Sequence, residues 1–427
     1  MKIIITTFLL TVLWFFVCSV HITQAQTLVL RGGGIVVEGE TFMVVQGDLI
    51  VRDESTNGKI NLDGSILLDK DIINESQEGV FVMQEPIPNG WVVMRNSILE
   101  QKIRGQEPII FENLKLIGSK KILMNSNSST NGILRINSIF DLNSRTFIIN
   151  NKESNAINYI GGYLFAETSP DEGYGILQWN IGNKIATYSI PFGSGHSDTS
   201  DIGVTFQTIV AGTQIGNMLF STYPTGTSNT PFPENVFCLN PYNTIQTADR
   251  FWLIDGDSYS QKPMSNITFR YLDSELENGN NMDKSSLKPI FHSQGVGLWD
   301  DYPIFQSDLI YRSMLVSNVS SSSIQKHWTL TANANAGDVF FPNAFTPDLD
   351  GKNELFMPVM GFTPLTFVMY IYDRWGNLLF TTTNPLIGWD GRFMNEDCVI
   401  DTYCWKAIMT KPDGKDYQYV GHVSIIK

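Results

Sequence analysis

The chain has 427 residues, of which 42% are hydrophobic and 17% charged, with 43 Asp and Glu against 29 Lys and Arg. The formal charge of −14 gives an acidic surface that repels phosphate backbones, which argues against nucleic acid as a partner. Gly, Asn, Ser, Thr, Ile, Val and aromatics dominate, and no amphipathic helix longer than two turns can be traced, so the expected fold class is all-β, in two to four domains.

The first residues indicate export. Lys2 supplies a positive start, Ile3 to Val20 is apolar apart from Thr6, Thr7, Thr11 and Ser19, and Thr23-Gln24-Ala25 offers small residues ahead of Gln26. This is the order of a secretory signal peptide over residues 1–25. A membrane anchor is the alternative, opposed by the polar threonines and the cleavage site. Cys18 follows Phe16-Val17, too bulky for a lipidation site. Cleavage would remove one Lys and leave 28 basic against 43 acidic residues. No later run is long and apolar enough to span a bilayer, so no transmembrane segment is expected in the mature chain.

Residues 26–165 read as short strands with tiny breaks: Phe42 to Val45, Leu49 to Val51, Ile60 to Leu62, Ser65 to Leu68, Ile133 to Ile136 and Thr146 to Ile149. The breaks lack the regular Asn-Gly or Asp-Gly pairs of hairpins. The expectation is a parallel β-solenoid-like region with a new coil every ~20 residues. Asn125, Asn127, Asn131, Asn137, Asn143, Asn150 and Asn151 suit its corners. A plain antiparallel sandwich is the competing reading.

Across residues 166–334 the loops lengthen and Pro and aromatics increase. Gly175 to Trp179, Ala186 to Ile190, Val204 to Phe206, Met218 to Phe220, Arg250 to Ile254 and Ile267 to Tyr271 alternate as half-buried strands do, which predicts a β-sandwich. After the run Ser317 to Ser323 comes one more strand, His327 to Thr331, and then a small-residue linker from Ala332 to Gly337.

Residues 338–427 carry ordered motifs. Pro342-Asn343-Ala344-Phe345-Thr346-Pro347 opens the segment and Asp348 to Gly351 follows. Phe367 to Tyr372 is a central strand, Asp373-Arg374-Trp375-Gly376-Asn377 a turn, and Gly388-Trp389-Asp390-Gly391 a second, glycine-bounded turn. Tyr403 to Met409 and Tyr417 to Ile426 are strands, joined through a reverse turn at Lys411 to Gly414. The expected fold is a compact Ig-like β-sandwich.

This series resembles the type B C-terminal sorting domain of the type IX secretion system, the gliding-motility-associated C-terminal domain. The resemblance rests on Pro342, Asn343, Phe345, Thr346 and Pro347, on Arg374, Trp375 and Gly376, and on Gly388, Trp389, Asp390 and Gly391, with Thr402-Tyr403 opening the late strand. It implies passage across the outer membrane to the cell surface or medium, with the type IX machinery as partner. Two positions depart from the family pattern: Leu349 stands where Gly is usual, and Asp401 where a small residue is usual. More distantly, Trp179 to Gly182, Ile190 to Gly193 and Asp249 to Trp252 resemble modules that precede such domains in surface proteins.

Candidate chemistry is sparse. Asp348, Asp350, Asn353 and Glu354 put four oxygen-bearing side chains in seven residues, which suits calcium, with an Asx-rich turn whose carboxylates bond to the backbone as the favoured alternative. Asp255-Gly256-Asp257 is a poorer version of the same pattern. Cys398 and Cys404 are close enough to form a disulfide across a loop, and free buried thiols are the alternative; Cys238 is left odd. Ser194-Gly195-His196 is not a nucleophile elbow. The acids Asp48, Asp63, Asp69, Asp71 and Glu75 fall singly at corners rather than as a glycosidase pair. Trp91, Trp299 and Tyr302 are candidate sugar-stacking rings with core aromatics as the alternative, and Arg250 with Trp252 is a candidate cation–π pair. The reading is a non-enzymatic, exported structural or adhesin-like surface protein with no cofactor beyond calcium. The alternative is a carbohydrate-binding or polysaccharide-degrading surface protein, and the partners to consider are surface polysaccharide or other surface proteins.

Overall fold

A computed structural model describes residues 3–4, 24–53, 59–77, 79–82, 89–167, 173–239, 242, 244–277, 282–293, 298–324, 327–332, 339–348, 353–360, 364–394, 396–410 and 416–426. Of the expected leader, only residues 3–4 and 24–25 are among these. The linker at 333–337 and the turn at 411–414 lie outside them.

The N-terminal region is a parallel solenoid, and the antiparallel alternative is set aside. One sheet stacks Leu28–Arg31, Leu49–Arg52, Ile72–Glu75, Gln101–Gly105, Lys121–Leu123, Ile139–Asp141 and Tyr163–Phe165, every neighbouring pair parallel. A second stacks Phe42–Val45, Ser65–Leu68, Trp91–Met94, Asn113–Ile117, Leu134–Asn137 and Ile157–Tyr159 in the same sense. Strands on a third side close each coil, first Gly34–Val37, Lys59–Leu62 and Phe81–Val82, then Ile110–Phe111, Ser128–Thr130, Thr146–Ile149 and Ile176–Trp179. Strand alternation turns every second side chain inward. In register, Ile66, Val92, Leu114 and Leu134 form one fully buried column through successive coils.

Polar corner residues tie each coil to the next. The Asn150 amide donates to Asn131 Oδ1 at 2.8 Å, and the Asn180 amide donates to Asn150 Oδ1 at 2.8 Å. Asn143 donates to the Leu123 carbonyl and Asn137 to the Ile160 carbonyl. Asp48 Oδ1 accepts from the Asp71 N–H, and Asp71 Oδ1 from the Lys102 N–H. Ion pairs Arg52–Glu75, Arg95–Asp69 and Arg104–Asp71 add charge to the same stack.

The solenoid does not stop where the sandwich begins. Ile176–Trp179 pairs in parallel with Thr146–Ile149 on one edge and antiparallel with Asn217–Pro224 on the other. The solenoid's third side thereby continues into Arg250–Asp257, His327–Thr331, Lys288–Ser293 and Leu298–Asp301 as one nine-stranded sheet. A second antiparallel sheet of Thr187–Ile190, Val204–Val210, Met264–Arg270, Ser313–Val319 and Phe305–Asp308 faces it. Trp179 meets Tyr188 at 4.8 Å, Phe220 meets Phe206 at 5.5 Å and Trp252 meets Phe269 at 5.2 Å across that interface. One hydrophobic core runs from Leu28 to Ala332.

The C-terminal region has a separate core. Its main sheet orders Ala344–Phe345, Asp416–Ile425, Thr402–Thr410, Thr366–Tyr372 and Leu378–Thr382, the first pair parallel and the others antiparallel. Two short antiparallel pairs complete it, Val339–Phe340 with Val359–Met360 and Arg392–Phe393 with Glu396–Asp397.

Candidate functional site

The C-terminal motifs divide into a buried set and a displayed set. In Ala344–Phe345 and Thr402–Thr410, alternation turns Phe345 and Tyr403 inward onto Trp389, which is fully buried. Trp389 lies 5.5 Å from Phe345 and 4.9 Å from Tyr403, and its Nε1 donates to the Arg392 carbonyl at 2.9 Å. Its backbone bridges Phe356 in both directions. Gly391, with φ +77°, sits where a Cβ would come 3.1 Å from Pro347 Cγ, so the second glycine of the Gly-Trp-Asp-Gly turn answers both a left-handed backbone and a tight contact. Phe345, Trp389 and Gly391 are therefore buried in the domain, with Pro347 half-buried against Gly391.

Arg374 and Trp375 are displayed. Their turn is fixed by Asp373, whose Oδ1 accepts from the N–H groups of Trp375 at 2.8 Å and Asn377 at 2.9 Å, while Oδ2 accepts from the Asn377 amide. The Asn377 amide, helped by these backbone donors, holds the Asp373 carboxyl below its ordinary range. Gly376 takes φ +83° at the bend. Trp375 is 82% exposed. Arg374 pairs with Asp401, the residue that departs from the family pattern, so that departure supplies the arginine's partner.

A cavity of about 130 Å³ lies beside the buried set, lined by Pro347, Glu354, Asp390, Arg392, Asp397 and Cys398 among others. Arg392 Nε donates to Asp397 Oδ1 at 2.8 Å, and its backbone N–H donates to Asp390 Oδ1 at 3.1 Å. Of the calcium candidates, Asp350 lies outside the described residues. Asp348 is exposed, Asn353 takes φ +54°, and Glu354 reaches the cavity. Among the described residues, no group of three or more His, Cys, Asp or Glu is arranged to hold a metal.

Cys398 and Cys404 are free thiols rather than a bridge, as is Cys238. The reason is strand alternation. Tyr403 faces the core, so Cys404 beside it points outward, whereas Cys398 packs on the core side. Burial raises the Cys398 thiol above its ordinary value.

The other candidates are engaged in structure. Ser194 Oγ donates to Asp201 at 2.7 Å, and His196 Nδ1 faces the Ser194 carbonyl at 3.1 Å. Asp255 pairs with Lys262 at 2.5 Å. Trp299 and Tyr302 are buried, and Trp299 Nε1 donates to the Cys238 carbonyl, so neither ring is a stacking platform. Trp91 is half-buried, with the Arg135 guanidinium 4.6 Å from its ring centre. Arg250 faces carboxylates instead of Trp252, pairing with Glu167 at 2.7 Å and Glu275 at 2.5 Å.

Sequence reasoning singled out Arg250 but missed its buried carboxylate partners, Glu167 and Glu275. It also missed Lys121, whose Nζ donates to the carbonyls of Asn96 at 3.2 Å and Ser119 at 2.6 Å inside a solenoid corner. A charged residue opening a short apolar run, Lys121 before Ile122-Leu123, was the available signal.

Among the described residues, no helix is long and apolar enough to cross a membrane. No curated protein matches the chain. Residues 339–425 match the family model described as the CHU_C Type IX secretion signal domain. With its motif residues packed as described, this chain is a protein carrying a type IX secretion type B C-terminal sorting domain, exported and sorted by that system.

Proposed function

We propose that the chain is a structural or adhesin-like passenger, made with a signal peptide over residues 1–25 and placed on the cell surface, whose front body performs no catalysis. The observation that carries this reading is the continuous sheet through Ile176–Trp179, which joins solenoid and sandwich around a shared core. Asp48, Asp69, Asp71 and Glu75, the acids an enzyme would need as a converging pair, hold coils together instead. An acidic chain built on stacked coils and one continuous sheet suits presentation of an extended face.

The test compares native-host cells making the full chain with cells making only a leader and the C-terminal domain, scored for attachment to surfaces and to one another. Attachment that depends on the front body, with no depolymerisation of added polysaccharides by the purified full chain, is expected. Release of new sugar ends by the purified protein would replace this reading with a degradative one.

A further inference from the structure

We infer that the turn bearing Arg374 and Trp375, together with the neighbouring Val399 and Ile400, is the face on which a protein of the type IX export machinery docks. The inference rests on the sorting-domain reading and adds to it the surface through which sorting acts.

Both motif tryptophans belong to the same domain, yet they have opposite surroundings. Trp389 is enclosed by Phe345 and Tyr403, and its removal would be felt by the core. Trp375 is 82% exposed on a turn that Asp373 holds through three hydrogen bonds. A turn whose backbone is already fixed gives up less freedom on binding, which favours its use to present an anchor.

The sheet brings a second segment to the same place. Tyr372 is opposite Cys404 in register, so the turn after Tyr372 and the segment before Thr402 leave the same end of two paired strands. The Arg374–Asp401 ion pair joins them. Val399 and Ile400, 69% and 64% exposed, therefore lie beside the Arg374–Trp375 turn. Trp and Arg are the residues most enriched where protein partners bind tightly, and a flanking aliphatic pair excludes water around them. Immediately after the turn, Leu378–Thr382 is the outer strand of the five-stranded sheet, so an extended segment of the partner can add to its open side. The occupant follows from the domain's identity: a secretion signal must be read by the export apparatus, and Arg374 and Trp375 are exposed residues of the matched region.

The experiment expresses full-length Trp375→Ala, Trp375→Phe and Ile400→Asp in the native host and measures the surface-exposed and released fraction against the periplasmic fraction. A chain lacking residues 339–427 serves as reference, and thermal unfolding of each purified variant reports folding. Trp375→Ala and Ile400→Asp are expected to keep the wild-type melting temperature while the exported fraction falls about tenfold or more, the loss typical of an anchor residue. Trp375→Phe should restore much of it. Should Trp375→Ala unfold the domain, Ile400→Asp on the adjoining segment decides the question. Folded variants exported at the wild-type level, beside a truncated chain held in the periplasm, overturn the docking face and leave the sorting reading intact. If the truncated chain also reaches the surface, the sorting reading itself fails. A wild-type dimer that Trp375→Ala dissociates, with export unchanged, assigns the face to a second copy and overturns the proposal.

Discussion

Arg250 Nη2 stands 2.7 Å from Glu167 Oε1, with both side chains almost wholly buried. Glu167 follows Tyr163–Phe165, the last strand of the solenoid's first sheet, and Arg250 opens a sandwich strand. The pair therefore clamps the two architectures at their junction. Glu275 takes the Arg250 Nε at 2.5 Å, and Nη1 donates to Thr222 Oγ1 at 2.9 Å. Arg250→Met strands two buried carboxylates, and the expected loss is about 3–5 kcal/mol, read by denaturant unfolding at neutral pH. Lysine at this position should recover little, because it lacks the planar fork that meets both acids. A loss below about 1 kcal/mol would contradict the clamp.

Lys121 makes the stability of the solenoid depend on alkaline pH. Burial lowers its ammonium from 10.5 to about 8, with only backbone carbonyls as partners. Between those values the unfolded chain holds the proton and the folded chain has released it. Stability contributed by this group therefore rises as pH rises, by up to about 3 kcal/mol. Measured against Lys121→Met, wild-type stability should improve from about pH 8 to about pH 10.5. A difference that stays flat across that range contradicts a buried, uncompensated ammonium.

The asparagine ladder gives an ordering of variants. Asn150 makes one amide bond to Asn131 and receives one from Asn180. Asn150→Ala breaks both rungs and should cost about 1–2 kcal/mol, more than Asn131→Ala, which breaks one. Asn180→Ala breaks the other rung and also loses the bond that its Oδ1 accepts from the Gln178 amide at 2.9 Å, so its cost should approach that of Asn150→Ala. An Asn150→Ala effect no larger than that of Asn131→Ala would contradict the ladder.

The solenoid was legible because its strands are short apolar runs and its corners are asparagines. Asn131 and Asn150 do stack, but their third rung, Asn180, lies beyond a strand whose partner changes from parallel to antiparallel. Nothing local in Ile176–Trp179 announces that change, so the fusion of solenoid and sandwich was invisible. Trp299 was read as a candidate platform because its burial depends on a distant segment, which brings the Cys238 carbonyl to its Nε1. In the C-terminal domain the motif residues were readable, whereas their division into interior and display was not. That division depends on which side chains Phe345, Tyr403 and Trp389 bury among themselves, and on Asp401 meeting Arg374 across two loops.

The separate C-terminal core predicts separate unfolding. Trp389→Ala removes a fully buried indole and should cost the C-terminal domain about 3–5 kcal/mol. Calorimetry is expected to show one transition shifted down and the transition of the front body unmoved. Trp375→Ala, at the surface, should change either transition by no more than about 0.5 kcal/mol. A single merged transition that shifts as a whole would contradict two independent cores.

The most direct measurement compares the location of the full chain in its native host with that of a chain ending at Gly337. Delivery of the full chain to the cell surface or medium, with the shortened chain held in the periplasm, is the predicted result. Equal delivery of both chains would contradict the sorting role of residues 339–425.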